Sequence, residues 1–594
     1  MEKKKTRNNR GSFKRLRKES LFLSCTSFLS SRITRLFETG FLSFFVRSSK
    51  KTDSFVHDRI AVPLDKKTDY RSKVTKKIKG TVSGFAERNP FMNMLLSAQK
   101  AFLDLNMRSV GIFFLTFGVY SAGIFFLKRF ASILNGRVNV NDVCVAAIAI
   151  VAGLLFTIFG EKSIKYTLCS GKITGRLLSR YLGINEAYMR EFDDPKSAVG
   201  IMFLAGSVFG ALTLFLAPSK VLVILLFSAL ILADLNIPEF GFLLCVILLP
   251  VIPAGYLAAF VLITFVSYLL KCLRMKRSMH FGTAGIAVLG VLLVTVIAGV
   301  FAKNGLSDMD RYAIVFVLFY FLSKNIVRGE QLFDRLLNSL SLSASLGMIF
   351  FLANYYSSYI PIKNLSSAVK TITSFAFDSD FIAVFICAMF PFALLALTRS
   401  GFRRMGVLQL LLSLACTVVI DYYDTYILLV LVVFIYAALA YKAPVGALLG
   451  AFTVMPPVMI FASNFAKAVS IHGCVMPTDE NAKGIISALN AENFYTGIVN
   501  HGNIVLLLFF AAALILVLQR VFGVIGMSRK ENHIRAGGCI AASLIILVIC
   551  GFYNNFYFDM RSFAFIWTIF GSTGSLSVLG NNEGNAMQWG GTEF

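Results

Sequence analysis

Long charge-free apolar stretches, separated by short basic or polar turns, dominate the chain from residue 109 onward. Residues 197–219, 240–270 and 381–398 contain no Asp, Glu, Lys or Arg. Each reaches or exceeds the roughly 18 to 20 residues that cross a hydrocarbon core as a helix. In lipid the backbone must satisfy its own hydrogen bonds, so these stretches are expected to be helices. A β-barrel would instead show alternating segments of about ten residues. Apolar segments recur from 109–127 and 143–160 through 405–421, 425–441 and 444–463 to 503–522, 537–556 and 562–580. Those between 220 and 271 are short and closely spaced, which gives an expectation of about 14 to 16 spans. The expected fold class is all-α, a polytopic helical membrane protein with a long outer-face loop.

Three stretches break the pattern. Residues 1–108 carry no span and form a basic N-terminal region. Within it, Leu21, Phe22, Phe28, Leu29, Ile33, Leu36, Phe37, Phe41, Phe44 and Phe45 alternate with Ser, Thr and Arg. This reads as amphipathic helix lying on the inner leaflet, its cations facing anionic membrane lipids. Arg32, Arg35 and Glu38 interrupt it, so a signal peptide is not expected. The second stretch, 464–502, is too long and polar for a turn between spans. It holds Lys467, His472, Asp479, Glu480, Lys483, Glu492 and His501, which include two of the five histidines. The third, 581–594, is rich in Gly and Asn and is expected to be a disordered tail after a membrane domain spanning 109–580.

A net charge of +26 suggests nucleic acid until it is mapped. Of 58 Lys and Arg, 25 precede Ser109, and most of the others sit in short loops. That is a topology signal, and no nucleic-acid partner is expected. The basic loops at 271–277, 324–335, 399–404 and 520–535 share one side if the N-terminus is cytoplasmic. By the same parity 355–379, 464–502, the turn 421–424 and the turn 557–561 lie outside. The outer face then collects Lys363, Lys370, Asp378, Asp380, Asp421, Asp424, Lys467, His472, Lys483, His501, Asp559 and Arg561. Ionisable groups near membrane depth tend to line a cavity or pathway, so a polar site open to the outside is expected. The ten cysteines are scattered and form no CxxC pair, and no phosphate-cradling glycine loop or HExxH helix occurs. Neither metal nor cofactor is expected.

At this point the residues resemble the O-antigen ligase and O-antigen polymerase superfamily, its long Gram-positive members especially, over about residues 20–580. Asn236-Ile237-Pro238-Glu239-Phe240-Gly241, with a following apolar run that ends at Pro250, is similar to the family's Pro-Glu segment. Asp378-Ser379-Asp380 stands where the family reads Asn-Pro-Asn, with Pro391 at the family's spacing. The turn from Asp421 to Tyr426 stands where the family has Ser-Arg-Gly. Tyr557, Arg561 and Trp567 follow its late Trp-Tyr-Asn-x-Arg pattern.

The resemblance implies transfer of a glycan from an undecaprenyl-pyrophosphate carrier to an acceptor hydroxyl during envelope polysaccharide assembly. The setting would be the bacterial cell membrane, with lipid-linked oligosaccharide and other assembly proteins as partners. Basic side chains would neutralise the pyrophosphate and a histidine would take the acceptor's proton. The Ser-Arg-Gly arginine is absent here, which leaves Arg561, Lys467 and Lys483 as the best outer-face cations for the pyrophosphate, with Lys370 a further binding residue. His472, within the polar loop, is the expected base, and His501 an accessory binding residue. Two other classes stay open: a non-catalytic relative that binds lipid-linked glycan as a scaffold, and a transporter or flippase. The last should show an internal inverted repeat, which the sequence does not display.

Overall fold

The structure is a computed structural model. It describes residues 104–589 except 131–139, 172–173, 183–195, 274–278, 302–307, 360, 362–365, 368, 371–378, 400, 421–422, 444–445, 447–449, 452, 455–456, 458–492, 529 and 554–559. The basic N-terminal region up to residue 103 and most of the polar loop therefore lie outside the described residues.

The chain is an all-α polytopic membrane protein. Among the described residues eight helices are long and apolar enough to cross a membrane, and five shorter ones are apolar. These cover most of the expected segments. The segment at 444–463 falls largely outside the described residues. Among the described residues, backbone pairing of the sheet type is limited to two isolated bridges, Leu105 with Lys196 and Asn106 with Ser163.

The chain divides into two compact units. One comprises 71–241 and 266–277. It contains α1 (Met107–Phe130), α2 (Val140–Phe159), α3 (Ile164–Ser170), α4 (Thr174–Arg180), α5 (Val199–Ala211) and α6 (Pro218–Asn236). α1 and α2 approach through glycines. A Cβ on Gly111 would stand 2.5 Å from the backbone nitrogen of Thr157, and one on Gly153 would stand 2.5 Å from that of Leu115. Lipid offers no hydrophobic force between helices, so close backbone packing of small residues supplies the attraction. Phe117, Ala149 and Val221 form the buried centre of this unit.

The other, the main unit, comprises the described residues within 242–265 and 278–589. The boundary runs through α7 (Pro238–Leu248) and α8 (Ala254–Leu273). The main unit continues with α9 (Gly282–Phe301), α10 (Asp308–Phe316), α11 (Leu318–Ile326), α12 (Glu330–Tyr356), α13 (Ser379–Thr398), α14 (Arg403–Ile420) and α15 (Tyr423–Ala440). It closes with α16 (Phe494–Met527), α17 (Glu531–Tyr553) and α18 (Met560–Trp589). The charge-free stretch at 381–398 is the interior helix α13, with 83% of its apolar window buried.

Polar side chains stitch the helices where lipid supplies no water. Ser341 Oγ donates to Gln409 Oε1 at 2.5 Å, and Gln409 Nε2 donates to the Met389 carbonyl at 2.9 Å. Ser323 Oγ reaches the Thr568 carbonyl at 3.0 Å. Trp567 is fully buried, edge-on to Phe510 at 6.1 Å and to Phe570 at 5.4 Å.

Three boundaries differ from the sequence reading. The expected span at 311–325 is two short helices, α10 and α11, which meet at Val317. The polar loop ends earlier than 502, because α16 begins at Phe494. Asn493 accepts from the Thr496 backbone N–H at 2.8 Å and its own N–H donates to Thr496 Oγ1 at 2.7 Å, a reciprocal cap that starts the helix. The third concerns 581–594, expected as a disordered tail: α18 continues to Trp589. A helix already nucleated extends at small cost per residue, so Gly580 and Gly584 do not stop it.

Candidate functional site

α16 is capped where the polar loop ends, and the helix ends around that cap form what we term the loop end of the main unit. The Tyr495 hydroxyl donates to the Val548 carbonyl of α17 at 2.8 Å, and its ring lies 4.7 Å from that of Phe552. Phe494 packs on Phe563 of α18 with centroids 5.9 Å apart, and on Phe510 at 5.6 Å. Phe385 of α13 meets Phe565 edge-on at 5.6 Å. The starts of α13, α16 and α18 and the end of α17 are thus gathered by aromatic rings.

Two narrow crevices open among these rings. One is lined by Val291, Thr295, Ala313, Val317, Ile498, Leu506, Phe510, Phe563 and Trp567. The other is lined by Phe494, Tyr495, Phe510, Leu514, Leu544, Leu547, Val548, Ile566 and Phe570. Each holds about 20 Å³, room for little more than one water or methyl group. The described part of this end is therefore an apolar, aromatic platform. Of the polar groups expected around it, Lys467, His472 and Lys483 belong to the segment that precedes Asn493.

The sequence-derived site residues are placed unevenly. Arg561 sits in the first turn of α18, half-buried, beside buried Ser562 and Phe563. Lys370 is exposed, on a short segment tied to the end of α12 by Ser366 Oγ donating to the Ser357 carbonyl at 2.6 Å. No contact joins Lys370 to Arg561 among the described residues. His501, expected at a helix entry, lies two turns inside α16. His472, Lys467 and Lys483 lie outside the described residues.

Ion pairs that the sequence reading did not assign mark the opposite, basic end of the main unit. Arg399 meets Asp334 at 3.0 Å, joining α13 to α12. Lys530 meets Glu330 at 3.1 Å, and His533 Nε2 lies 3.4 Å from the same carboxylate. Residues from three of the expected basic loops thus meet at one end of the main unit. In the other unit Asp234 is fully buried. Its carbonyl accepts from Ser267 Oγ at 2.7 Å, and its carboxylate lies against the bare Cα of Gly241. Glu239 and Lys271 pair nearby at 3.6 Å. In the sequence this cluster shows as Asp234 within an apolar run and as the segment from Asn236 to Gly241. Among the described residues no group of three or more His, Cys, Asp or Glu is placed to hold a metal.

Comparison of the chain with protein-family models, with curated proteins and with solved structures returns no match.

Proposed function

We propose that the protein is an O-antigen ligase- or polymerase-like enzyme of the bacterial cell membrane, with its N-terminus in the cytoplasm. It transfers a glycan from undecaprenyl pyrophosphate to an acceptor hydroxyl at the outer face. The observation that carries this reading is the placement of Arg561 in the first turn of α18, at the same end as the capped start of α16. The histidine- and lysine-bearing segment enters the membrane domain at that end.

In this scheme the bond between the anomeric carbon and the pyrophosphate oxygen breaks, and the electron pair leaves with the pyrophosphate. Arg561 neutralises the charge that develops there through a planar, permanently charged fork. Lys467 and Lys483 add charge from the loop. The acceptor oxygen bonds to the anomeric carbon and gives its proton to His472, histidine being the side-chain type suited to general-base work near neutral pH. Most rings at this end are buried, so the faces open to a lipid chain or a sugar ring are those of exposed Phe552 and half-buried Tyr495.

The test is transfer from lipid-linked oligosaccharide to acceptor in membranes that contain each variant. Arg561→Lys and His472→Ala abolish product while expression and membrane insertion persist. Full activity in both would end the catalytic assignment. A second reading, a non-catalytic scaffold, is favoured by the apolar lining of both crevices. It is supported instead if the wild type binds lipid-linked glycan yet transfers none.

A further inference from the structure

The basic end of the main unit brings cations from separate helices to one place. Lys324, near the end of α11, donates through Nζ to the Phe281 carbonyl. Arg520, late in α16, donates through Nη2 to Thr283 Oγ1 at 3.0 Å. Both reach the turn where α9 begins. Gly282 holds φ at +61° there, a conformation that disfavours any side chain. A Cβ at Gly282 would collide with Lys324 Nζ and stand 3.4 Å from Arg520 Nη2. The ammonium therefore takes up the room that a side chain at position 282 would need, and the guanidinium lies beside it. The first amides of α9, which have no acceptor within their own helix, adjoin that space.

Arg328 approaches from the next turn. Its Nη2 lies 3.3 Å from Asn325 Oδ1, which also accepts the His280 backbone N–H at 2.6 Å. The Lys324 stem is held by α18: a Cβ on Gly574 would come within 3.1 Å of Lys324 Cγ. These cations are fixed by packing rather than left to wave in solvent.

Among the described residues Glu330 pairs with Lys530 at 3.1 Å, Asp334 with Arg399 at 3.0 Å and Glu531 with Arg535 at 2.8 Å. Arg520 is half-buried and meets no carboxylate among the described residues. Two like charges brought this close repel each other, more strongly than in bulk water because both are partly withdrawn from it. An anion between them relieves that repulsion.

We infer that Lys324, Arg520 and Arg328, with the start of α9, form a binding site for a phosphate-bearing anion at the basic end of the bundle. A guanidinium offers two parallel N–H donors to phosphate oxygens, an ammonium adds a point charge, and helix-start amides complete the set. Basic pockets between membrane helices take phosphorylated headgroups by this chemistry. A soluble phosphate compound presents the same group. The site is distinct from the loop end, and its test reads binding, not glycan transfer.

The experiment uses the purified full-length protein in a neutral detergent and follows its unfolding temperature. The probes are dioctanoyl phosphatidylglycerol, dioctanoyl phosphatidylcholine and inorganic phosphate, with sodium chloride at matched ionic strength. Saturable stabilisation by phosphatidylglycerol or by phosphate, but not by phosphatidylcholine or chloride, is the expected result. A response to phosphatidylglycerol alone assigns a lipid headgroup, and a response to inorganic phosphate assigns a soluble ligand. In Arg520→Gln the half-saturating concentration rises by about tenfold or more, as expected when a bidentate charged donor is lost. Arg403→Gln, an exposed cation at the start of α14, leaves it unchanged. Arg328→Gln provides a second variant should Arg520→Gln fail to fold. No saturable stabilisation of the wild type overturns the site, as does undiminished binding in whichever of the two variants folds.

Discussion

The Tyr495 hydroxyl donates to the Val548 carbonyl at 2.8 Å, and so ties the first turn of α16 to the last turns of α17. The reciprocal cap between Asn493 and Thr496 lies immediately before it. Together they fix where the polar segment stops. Tyr495→Phe removes one hydrogen bond and should cost about 1 kcal/mol. Asn493→Ala removes the cap and should cost a similar amount, about 1 kcal/mol. Reversible unfolding in mixed micelles measures both, and wild-type stability in both variants would show that the anchor is not made.

The gathering of basic loops at one end of the main unit makes a topology prediction. In a cysteine-free background, single cysteines at positions 365 and 485 should react with an impermeant thiol reagent on intact cells. A cysteine at position 402, beside the basic loop, should react only after the membrane is opened. The reverse pattern would invert the proposed orientation.

Helix contact through glycine predicts a sharp contrast within α1. Gly111→Leu drives a side chain into the Thr157 backbone, whereas a Cβ on Gly123 meets nothing within 4 Å. Overpacking of this kind costs about 1–3 kcal/mol or more. The first variant should therefore lower the unfolding temperature and the yield of monodisperse protein. Gly123→Leu should leave both near wild type, and equal behaviour of the two would contradict the close α1–α2 approach.

The Arg399–Asp334 pair predicts a charge-swap rescue. Arg399→Asp and Asp334→Arg should each destabilise the α12–α13 junction, and the double variant should recover part of the loss. Asp334 is 48% exposed, so water screens the pair and a coupling of about 1 kcal/mol or less is expected. Strict additivity of the two losses would show that the side chains do not interact.

Much of this architecture was legible because lipid imposes a simple grammar. The charge-free stretch at 381–398 could only be an interior or spanning helix, and it is α13, largely buried. The start of α16 was misread because Asn500, His501 and Asn503 look like loop residues. Its signal was in the chain nonetheless, since Asn493 and Thr496 have the spacing of a reciprocal cap. The continuation of α18 past Gly580 was hidden by composition, which records breakers but not a helix already under way. Arg399 and Asp334 are far apart in sequence, and nothing local couples them before the helices pack. Of the candidate site, Arg561 lies in the first turn of α18, whereas His501 proved to lie within a helix. The convergence on Gly282 was invisible because it depends on one residue's backbone angle and on two cations from other helices.

α16 contains 34 residues and is about 50 Å long at 1.5 Å per residue. A hydrocarbon core is only about 30 Å thick. The helix begins ten residues before the apolar stretch that opens at Ile504, so its first part stands about 15 Å proud of that stretch. The polar segment is thus delivered to the tip of a stiff rod and not to a hinge. Arg520 is carried near the far end of the same rod. Asn493 and Arg520 therefore belong to one unbroken helix and stand about 40 Å apart along it, so a single element reaches both ends of the bundle.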